Sequence, residues 1–248
     1  MLELDTLTKT FGKLTAVNKV SFTAKAGTVT GLIGPNGSGK TTLFNLISGF
    51  LKPTSGRVRF GGQDITGVRP SRIAAFGVIR TFQLTSIYRD MSVLEHVMAG
   101  HHLSRPGARR AEVKPVVGRT GSVRASAEAI IDFMGLSSVR DTPTHLLPGG
   151  TQRTLSIATA LGARPNLLLL DEPLAGLTST EKAALAAKIV ELRNAGLSVL
   201  LVEHDMKSVM SICDELCVIN FGNKIGEGTP QDVMVNPAVI KAYLGGGE

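Results

Sequence analysis

Residues 34–41 have the residue types and the spacing of a loop that binds phosphate groups. With the residue that follows, the stretch comprises Gly34, Pro35, Asn36, Gly37, Ser38, Gly39, Lys40, Thr41 and Thr42, and it fits the pattern G-x-x-x-x-G-K-[ST]. Glycines let the backbone curl until successive N–H groups face one anion, and a following helix N-terminus adds positive potential. Lys40 would reach the β- and γ-phosphates of a nucleoside triphosphate, and the Thr41 hydroxyl would complete a magnesium shell.

The segments on either side of this loop distinguish a phosphate site from a chance glycine-rich turn. The apolar run Val29 to Ile33 predicts a strand before the loop, and Thr42 to Ile47 predicts a helix after it. Strand, loop and helix in this order are the context that the motif requires. The sequence therefore predicts a site for a nucleoside triphosphate with magnesium.

Two acidic residues, Asp171 and Glu172, follow the apolar run Leu167 to Leu170. Ligands collect at the carboxyl ends of parallel strands, so we expect this pair to face the phosphate loop of the neighbouring strand. Asp171 would hold magnesium, directly or through water, and Glu172 could orient or deprotonate an attacking water. Without the upstream loop, an acidic turn before Pro173 would be the simpler interpretation.

A histidine and a glutamine are further candidates. His204 follows the apolar run that ends at Val202, and from a strand end it could contact the γ-phosphate and hold Glu172 and water in place. A lone histidine is more often a surface residue, but its strand should lie beside the one that carries Asp171. The amide of Gln83 could ligate magnesium and report the nucleotide state to a partner; by itself it would be an ordinary surface residue.

The elements that must position these residues predict an α/β chain. Its N-terminal part alternates between apolar and polar residues and is interrupted by glycines, which is typical of short, partly antiparallel strands. Continuous apolar runs follow later in the chain, as in a parallel sheet that is covered by helices on both faces. We expect one domain over residues 1–248. Residues 1–90 and 162–248 would form an α/β core with a β subdomain, and residues 91–161 a helical subdomain with an exposed loop near residues 104–121. Shorter predictions are helices at 181–194 and 209–216, and strands at 197–202 and 217–220.

Composition excludes several classes of protein. The chain has 248 residues, of which 43% are hydrophobic, so we expect a globular fold with a sizeable core. No apolar run has the roughly 18 residues of a membrane span, and the N-terminus lacks the pattern of a signal peptide. Cys213 and Cys217 are expected to be small core residues in a reducing compartment. The net charge of +7 fits an anionic membrane surface, nucleic acid or an ordinary soluble enzyme.

Taken together, the motifs resemble the nucleotide-binding subunit of ATP-binding-cassette (ABC) transporters over nearly the whole chain. The motifs follow one another in the order and at the spacing that this family shows: the phosphate loop, Gln83, residues 147–151, Asp171-Glu172 and His204. The resemblance implies a P-loop NTPase (RecA-like) core with an N-terminal antiparallel β subdomain and an inserted helical subdomain. It also implies that ATP and Mg²⁺ are bound and that Phe11 stacks on the adenine.

One motif departs from the family pattern. The segment Leu147-Pro148-Gly149-Gly150-Thr151 has Pro148 where the family has a serine and Thr151 where it has a glutamine. In the family, this segment begins a helix and closes over the ATP held by a second ATPase subunit. Gly149 and Gly150 still offer backbone N–H groups to the γ-phosphate, and proline suits a first helical turn. The departures at Pro148 and Thr151 could weaken the ATP site on the partner subunit, or they could have little effect because the backbone donors suffice.

Finer features look like an ATPase of the branched-chain amino-acid importers, notably residues 43–50, 203–206, 220–222 and 228–245. The resemblance implies a peripheral location on the cytoplasmic face of the cell membrane. Its partners would be integral-membrane permease subunits, a second ABC ATPase and an extracytoplasmic substrate-binding protein, without nucleic acid. Four residues are candidates for a groove that receives a short helix of the permease: Leu84, Ile87, Tyr88 and Met91.

Other functions remain open at this point. Within the ABC family, the cargo could be urea, amides or aromatic acids, or the transporter could export lipid. Non-transport ABC ATPases that act on DNA or ribosomes usually carry a long coiled coil, zinc cysteines or two cassettes, and this sequence shows none of these signals. A small-molecule P-loop kinase would have no reason to combine Gln83, Gly149-Gly150 and His204.

Overall fold

The computed structural model describes residues 1–81, 88–103 and 122–244. In this part of the chain the strands are β1 (Leu2–Phe11), β2 (Leu14–Ala24), β3 (Val29–Ile33), β4 (Ser55–Phe60), β5 (Gln63–Asp64), β6 (Val78–Arg80), β7 (Leu167–Asp171), β8 (Ser198–Val202), β9 (Glu215–Asn220) and β10 (Asn223–Gly228). The α-helices are α1 (Lys40–Ile47), α2 (Pro70–Ala75), α3 (Val93–Gly100), α4 (Val123–Phe133), α5 (Gly149–Gly162), α6 (Ser179–Asn194), α7 (Met206–Ile212), α8 (Pro230–Met234) and α9 (Pro237–Leu244).

The N-terminal part of the chain forms a small antiparallel sheet, as its alternating pattern predicts. The strand order is β2-β1-β4-β5, and each neighbouring pair is antiparallel. Its inward residues, such as Leu4, Phe22 and Val58, join α1 and one face of the central sheet in a common apolar core. This sheet therefore covers the helix that follows the phosphate loop.

The central sheet has the order β10-β9-β3-β8-β7-β6. Its strands are parallel except for the antiparallel hairpin of β9 and β10. The strand of the phosphate loop, β3, and the strand of the acid pair, β7, are therefore not neighbours. The prediction that they are adjacent is wrong, because β8 lies between them.

Leucines of β7 alternate between two apolar cores. Leu168 and Leu170 pack with the helices on one face of the central sheet, whereas Leu167 and Leu169 face α1 and the N-terminal sheet. Successive side chains of a strand point to opposite faces, so a strand that is covered on both sides must be apolar throughout. This arrangement explains the continuous leucine run.

Where the sequence predicts a helical subdomain, at residues 91–161, the described residues form the α-helices α3, α4 and α5, of which α5 extends one residue further, to Gly162. The backbones of α3 and α5 approach closely, since a Cβ atom on Gly100 would overlap with the carbonyl oxygen of Thr159. The expected exposed loop falls on residues 104–121, which lie outside the described residues. The proposed division into subdomains stays a prediction.

The helix predicted at 181–194 is confirmed as α6, which begins two residues earlier, whereas the second short helix predicted in the C-terminal half is an exception. Thr178 and Glu181 form a capping box that starts α6, and the helix ends before Gly196, whose φ is +95°. Thr229 and Asp232 form another capping box at α8. The longest described helix, α6, has 16 residues, and no described helix could span a membrane.

The exception is the helix predicted at 209–216. The Asp205 carboxylate caps α7 earlier than expected, by accepting bonds from the Lys207 and Ser208 amides. The helix then ends at Ile212, because Asp214 accepts a bond from the Val29 amide at 2.8 Å and pairs with Arg193 at 2.6 Å. These contacts hold the chain against the start of β3 and begin β9 at Glu215.

Both cysteines are free and buried, as predicted. Burial raises the pKa of the Cys213 and Cys217 thiols to about 12.

Candidate active site

Lys40 lies within the curl of its own loop. Its Nζ donates to the carbonyl oxygens of Gly34 at 2.7 Å and Pro35 at 2.9 Å, and the residue is only 6% exposed. Burial lowers the pKa of Lys40, and the negative charge of Glu172 opposes this shift. The ammonium group is thus held inside the loop by the loop's own carbonyl oxygens.

The loop is braced by segments that are distant in sequence, and the sequence did not reveal this bracing. The Gly222 amide donates to the Ser38 carbonyl at 2.9 Å, and the Asn18 amide donates to the Gly222 carbonyl at 2.8 Å. Gly39 has a φ of +107°, and a Cβ atom there would overlap with the carbonyl oxygen of Ala16. The β9–β10 turn and β2 therefore fix the loop from outside.

Ser38 carries a polar atom that fits a phosphate ligand. The residue is 1% exposed, and its Oγ has no hydrogen-bond partner among the described residues. A buried hydroxyl without a partner is costly, and a phosphate oxygen would accept its hydrogen bond. The donor set of the loop, comprising amides, the Lys40 ammonium and this hydroxyl, suits a polyphosphate.

Glu172 and His204 meet at the carboxyl edge of the sheet. His204 Nε2 lies 2.5 Å from Glu172 Oε1. Glu172 has a φ of +48°, which is uncommon for a residue other than glycine, and its amide donates to the Val202 carbonyl at 3.0 Å. The backbone thus turns sharply after β7 and directs this carboxylate to the end of β8. Strain of this kind often accompanies a functional site.

Glu203, which the sequence did not single out, connects two loops of the site. One of its carboxylate oxygens accepts a bond from the Leu174 amide at 2.7 Å, and the other accepts a bond from the His204 amide at 3.2 Å. The residue is 3% exposed, and burial raises the pKa of its carboxyl group against the effect of these bonds. Glu203 therefore holds the segment after the acid pair against the histidine loop.

Asp171, the expected magnesium ligand, is paired with an arginine that the sequence also did not single out. Arg80 Nη2 lies 2.7 Å from Asp171 Oδ2. The sequence signal was weak, since Arg80 is only the polar end of the short strand β6. Magnesium needs just one or two protein ligands besides phosphates, so the Asp171 carboxylate and the Thr41 hydroxyl at the start of α1 suit its oxygen chemistry.

Two other predicted residues lie near the ends of elements. Phe11 ends β1 and is 45% exposed, with the Lys9 ammonium 5.0 Å from its ring centre. Its ring face is therefore accessible for stacking rather than buried in the core. Thr42 is partly buried in the first turn of α1. Gln83 lies outside the described residues.

The glycine pair Gly149-Gly150 begins α5 within the predicted helical subdomain. Pro148 occupies the N-cap position, one residue before the first turn where we expected it, and provides no side-chain cap. A Cβ atom on Gly150 would overlap with the carboxylate of Glu181, so this helix start fits closely against α6. Arg153, one turn further on, donates to the Ala175 carbonyl at 3.2 Å. The first amides of α5 are therefore positioned by the segment that follows the acid pair.

Comparison with known proteins agrees with this geometry. The family model described as "ABC transporter" matches residues 17–175, which include the phosphate loop, the start of α5 and the acid pair. The chain belongs to the ABC transporter family. A second model, described as "Branched-chain amino acid ATP-binding cassette transporter", matches residues 223–248.

Curated members of the ABC transporter family align with almost the whole chain. The high-affinity branched-chain amino acid transport ATP-binding protein BraF of Pseudomonas aeruginosa is 40% identical, with 99% of this chain and 98% of BraF covered. The corresponding protein LivG of Escherichia coli K12 is 38% identical over the same shares of the two chains. The ADP conformation of the ATP-binding cassette MJ1267 has a TM-score of 0.86 at 32% identity, with 99% of this chain and 98% of that chain covered.

Proposed function

We propose that this chain is the ATP-hydrolysing subunit of an ABC importer for branched-chain amino acids. The contact of His204 with Glu172, at the ends of adjacent strands, is the observation that carries the catalytic part of this proposal. The names of the relatives BraF and LivG, together with the match over residues 223–248, support the cargo. Urea, amides, aromatic acids and lipid export remain alternative cargoes for the same ATPase.

In this proposal, each residue of the site acts on a different part of ATP. Phe11 stacks on the adenine, and the loop amides and Lys40 bind the β- and γ-phosphates. Glu172 orients or deprotonates the attacking water, while His204 fixes Glu172 and contacts the γ-phosphate. A bound magnesium ion, held by Thr41, Asp171 and Gln83, would supply positive charge to the phosphates.

The proposed partners follow from the family to which the chain belongs and from the first turn of α5, which has no side-chain cap. Gly149 and Gly150 would donate their amides to the γ-phosphate of ATP bound by a second ABC ATPase, either a copy of this chain or a related subunit. Integral-membrane permease subunits would hold both ATPases at the cytoplasmic face of the membrane. An extracytoplasmic substrate-binding protein would deliver the amino acid. Nucleic acid has no role in this proposal.

The experiment that tests the proposal is ATP-driven uptake in proteoliposomes containing the chain, its permease subunits and its partner ATPase. With the binding protein present, leucine should accumulate only with ATP. Lys40→Ala should lower uptake at least about tenfold, because a charge-assisted hydrogen bond to phosphate is worth about 1.5–3 kcal/mol. Lys241→Ala, which changes an exposed lysine of α9, is the matched control and should transport normally. Uptake of urea or an aromatic acid, without leucine, would contradict the cargo but not the ATPase.

The contact with the permease predicts a separate phenotype for Tyr88. This side chain is 65% exposed, its backbone amide donates to His96 Nε2 at 3.0 Å, and the two rings are 5.8 Å apart. We expect Tyr88→Glu to abolish amino-acid uptake and to leave ATP affinity within about twofold, because a charge would have to be buried in an apolar contact. Uptake and nucleotide binding are measured on the same preparation.

Val235→Glu is the control, since Val235 is 73% exposed in the turn after α8. Loss of ATP binding by Tyr88→Glu would show that Tyr88 has a folding role instead. Leu84 and Ile87 of the same predicted groove lie outside the described residues, and Met91 is partly buried.

A further inference from the structure

Arg80 connects three elements of the structure through one side chain. From the end of β6, Nη1 donates to Asn45 Oδ1 at 2.6 Å and to Ser48 Oγ at 3.1 Å. Nη2 donates to Asp171 Oδ2 at 2.7 Å. The guanidinium group therefore joins α1, which begins at Lys40, to the carboxylate at the end of β7.

The surroundings of this guanidinium group hold it in one orientation. The Arg80 side chain is 8% exposed and that of Asp171 is 15% exposed. The guanidinium carbon lies 5.6 Å from the ring centre of Phe44 and 5.9 Å from that of Phe50. A planar guanidinium group that lies over aromatic rings and donates hydrogen bonds from both Nη atoms has little conformational freedom. A lysine ammonium could not reproduce this geometry.

We propose that Arg80 is a positioning residue for the magnesium site: it fixes the Asp171 carboxylate relative to α1, which carries Thr41. This inference rests on the proposed function, in which Asp171 and Thr41 both hold the ion. Carboxylates that bind a metal are generally oriented by hydrogen bonds from residues behind them, and loss of such a partner costs about 10- to 100-fold in metal affinity or activity. Here the two ligands belong to different elements, and Arg80 bonds to both elements.

A purely structural role predicts a different result. If Arg80 only neutralised a largely buried carboxylate, Arg80→Lys would keep the charge and preserve metal binding. If Arg80 positions the carboxylate, Arg80→Lys should lower metal affinity almost as much as Arg80→Gln does. A single ammonium cannot donate to Asn45, Ser48 and Asp171 in the same plane. The comparison of Arg80→Lys with Arg80→Gln therefore separates charge from geometry.

The test measures Mn²⁺ affinity by electron paramagnetic resonance on the purified full chain saturated with a non-hydrolysable ATP analogue. Arg80→Lys and Arg80→Gln should each weaken Mn²⁺ binding by about 10- to 100-fold. Affinity for the nucleotide without metal should change by less than about twofold, because the hydrogen bonds of Arg80 to Asn45, Ser48 and Asp171 all lie outside the phosphate loop. In an Asp171→Asn background, Arg80→Gln should cause no further loss, since the group that it positions is gone.

Arg193→Lys is the matched control. Arg193 also pairs with a carboxylate, that of Asp214, at 2.6 Å, but this pair lies at the start of β3, away from the phosphate loop. It should lower thermal stability without changing Mn²⁺ affinity. Unchanged Mn²⁺ affinity in both Arg80 variants, with weakened affinity in Asp171→Asn, would overturn the positioning role alone. Unchanged affinity in Asp171→Asn would overturn both this inference and the proposed metal site.

Discussion

Glu172→Gln is expected to lower kcat for ATP hydrolysis by about 10²- to 10⁴-fold, the usual contribution of a general base. Glutamine has nearly the same shape as glutamate, and its amide oxygen can still meet His204 Nε2, which lies 2.5 Å from Glu172 Oε1. The substitution removes the ability to accept a proton from water, together with the negative charge that acts on Lys40. Because Glu172 is not among the groups that would bind the phosphates, ATP affinity should remain within a few fold of the parent value.

Turnover is measured with the complete transporter, and nucleotide affinity with the isolated chain. Glu191→Gln is the matched control, because Glu191 is an exposed carboxylate on α6 that pairs with Lys188. The control should hydrolyse ATP at the parental rate. If Glu172→Gln also did so, another group would have to activate the water, and the assignment of the Glu172–His204 pair as catalytic would be wrong.

Gly34→Ala should weaken nucleotide binding at least about tenfold, whereas Gly37→Ala should have a much milder effect. Both glycines have positive φ, +152° at Gly34 and +76° at Gly37, so both substitutions strain the backbone. Only at Gly34 does the new methyl group meet other atoms: it would overlap with the Ile219 carbonyl oxygen and lie 2.8 Å from Ser38 Oγ. At Gly37, a Cβ atom would have no described atom within 4 Å beyond those of its chain neighbours.

Comparison of the two variants therefore distinguishes the effect of atomic overlap with Ile219 from the effect of backbone strain at positive φ. Gly37→Ala should lower the free energy of unfolding by about 1–2 kcal/mol, the cost of positive φ for a residue with a Cβ. Gly34→Ala should add about 1–3 kcal/mol for overpacking, and should weaken ATP binding at least about tenfold as the loop shifts. Urea titration and equilibrium binding of a fluorescent ATP analogue measure the two effects. Equal losses in both variants would contradict the importance of the Ile219 contact.

The phosphate loop was predictable from local order along the chain, and the meeting of Glu172 with His204 from the expectation that both residues follow neighbouring parallel strands. A loop between a strand and a helix has few possible geometries, and parallel strands bring their carboxyl ends to one edge. Sheet order is different. It depends on packing between distant segments, so the sequence did not reveal that β8 separates β3 from β7.

Glu203 and Arg80 were missed for a related reason. Each is a charged residue at the end of a buried strand, and its role depends on which backbone or carboxylate lies opposite. Arg80 reaches Asp171 only because β6 pairs with β7 in the register that sets Arg80 opposite Leu169. A shift of one residue would turn its side chain to the other face of the sheet. The available signal was an acid or a base directly after an apolar run.

The protonated state of the two thiols makes the native chain convenient for chemical labelling. With a pKa of about 12 and with both residues buried, Cys213 and Cys217 should resist alkylation and mild oxidants near neutral pH. The sequence contains just these two cysteines. A single cysteine introduced at Phe221, which is 82% exposed in the turn that braces the phosphate loop, would thus be the one readily reactive thiol. Cross-linking to a partner ATPase could then be followed without first removing the natural thiols.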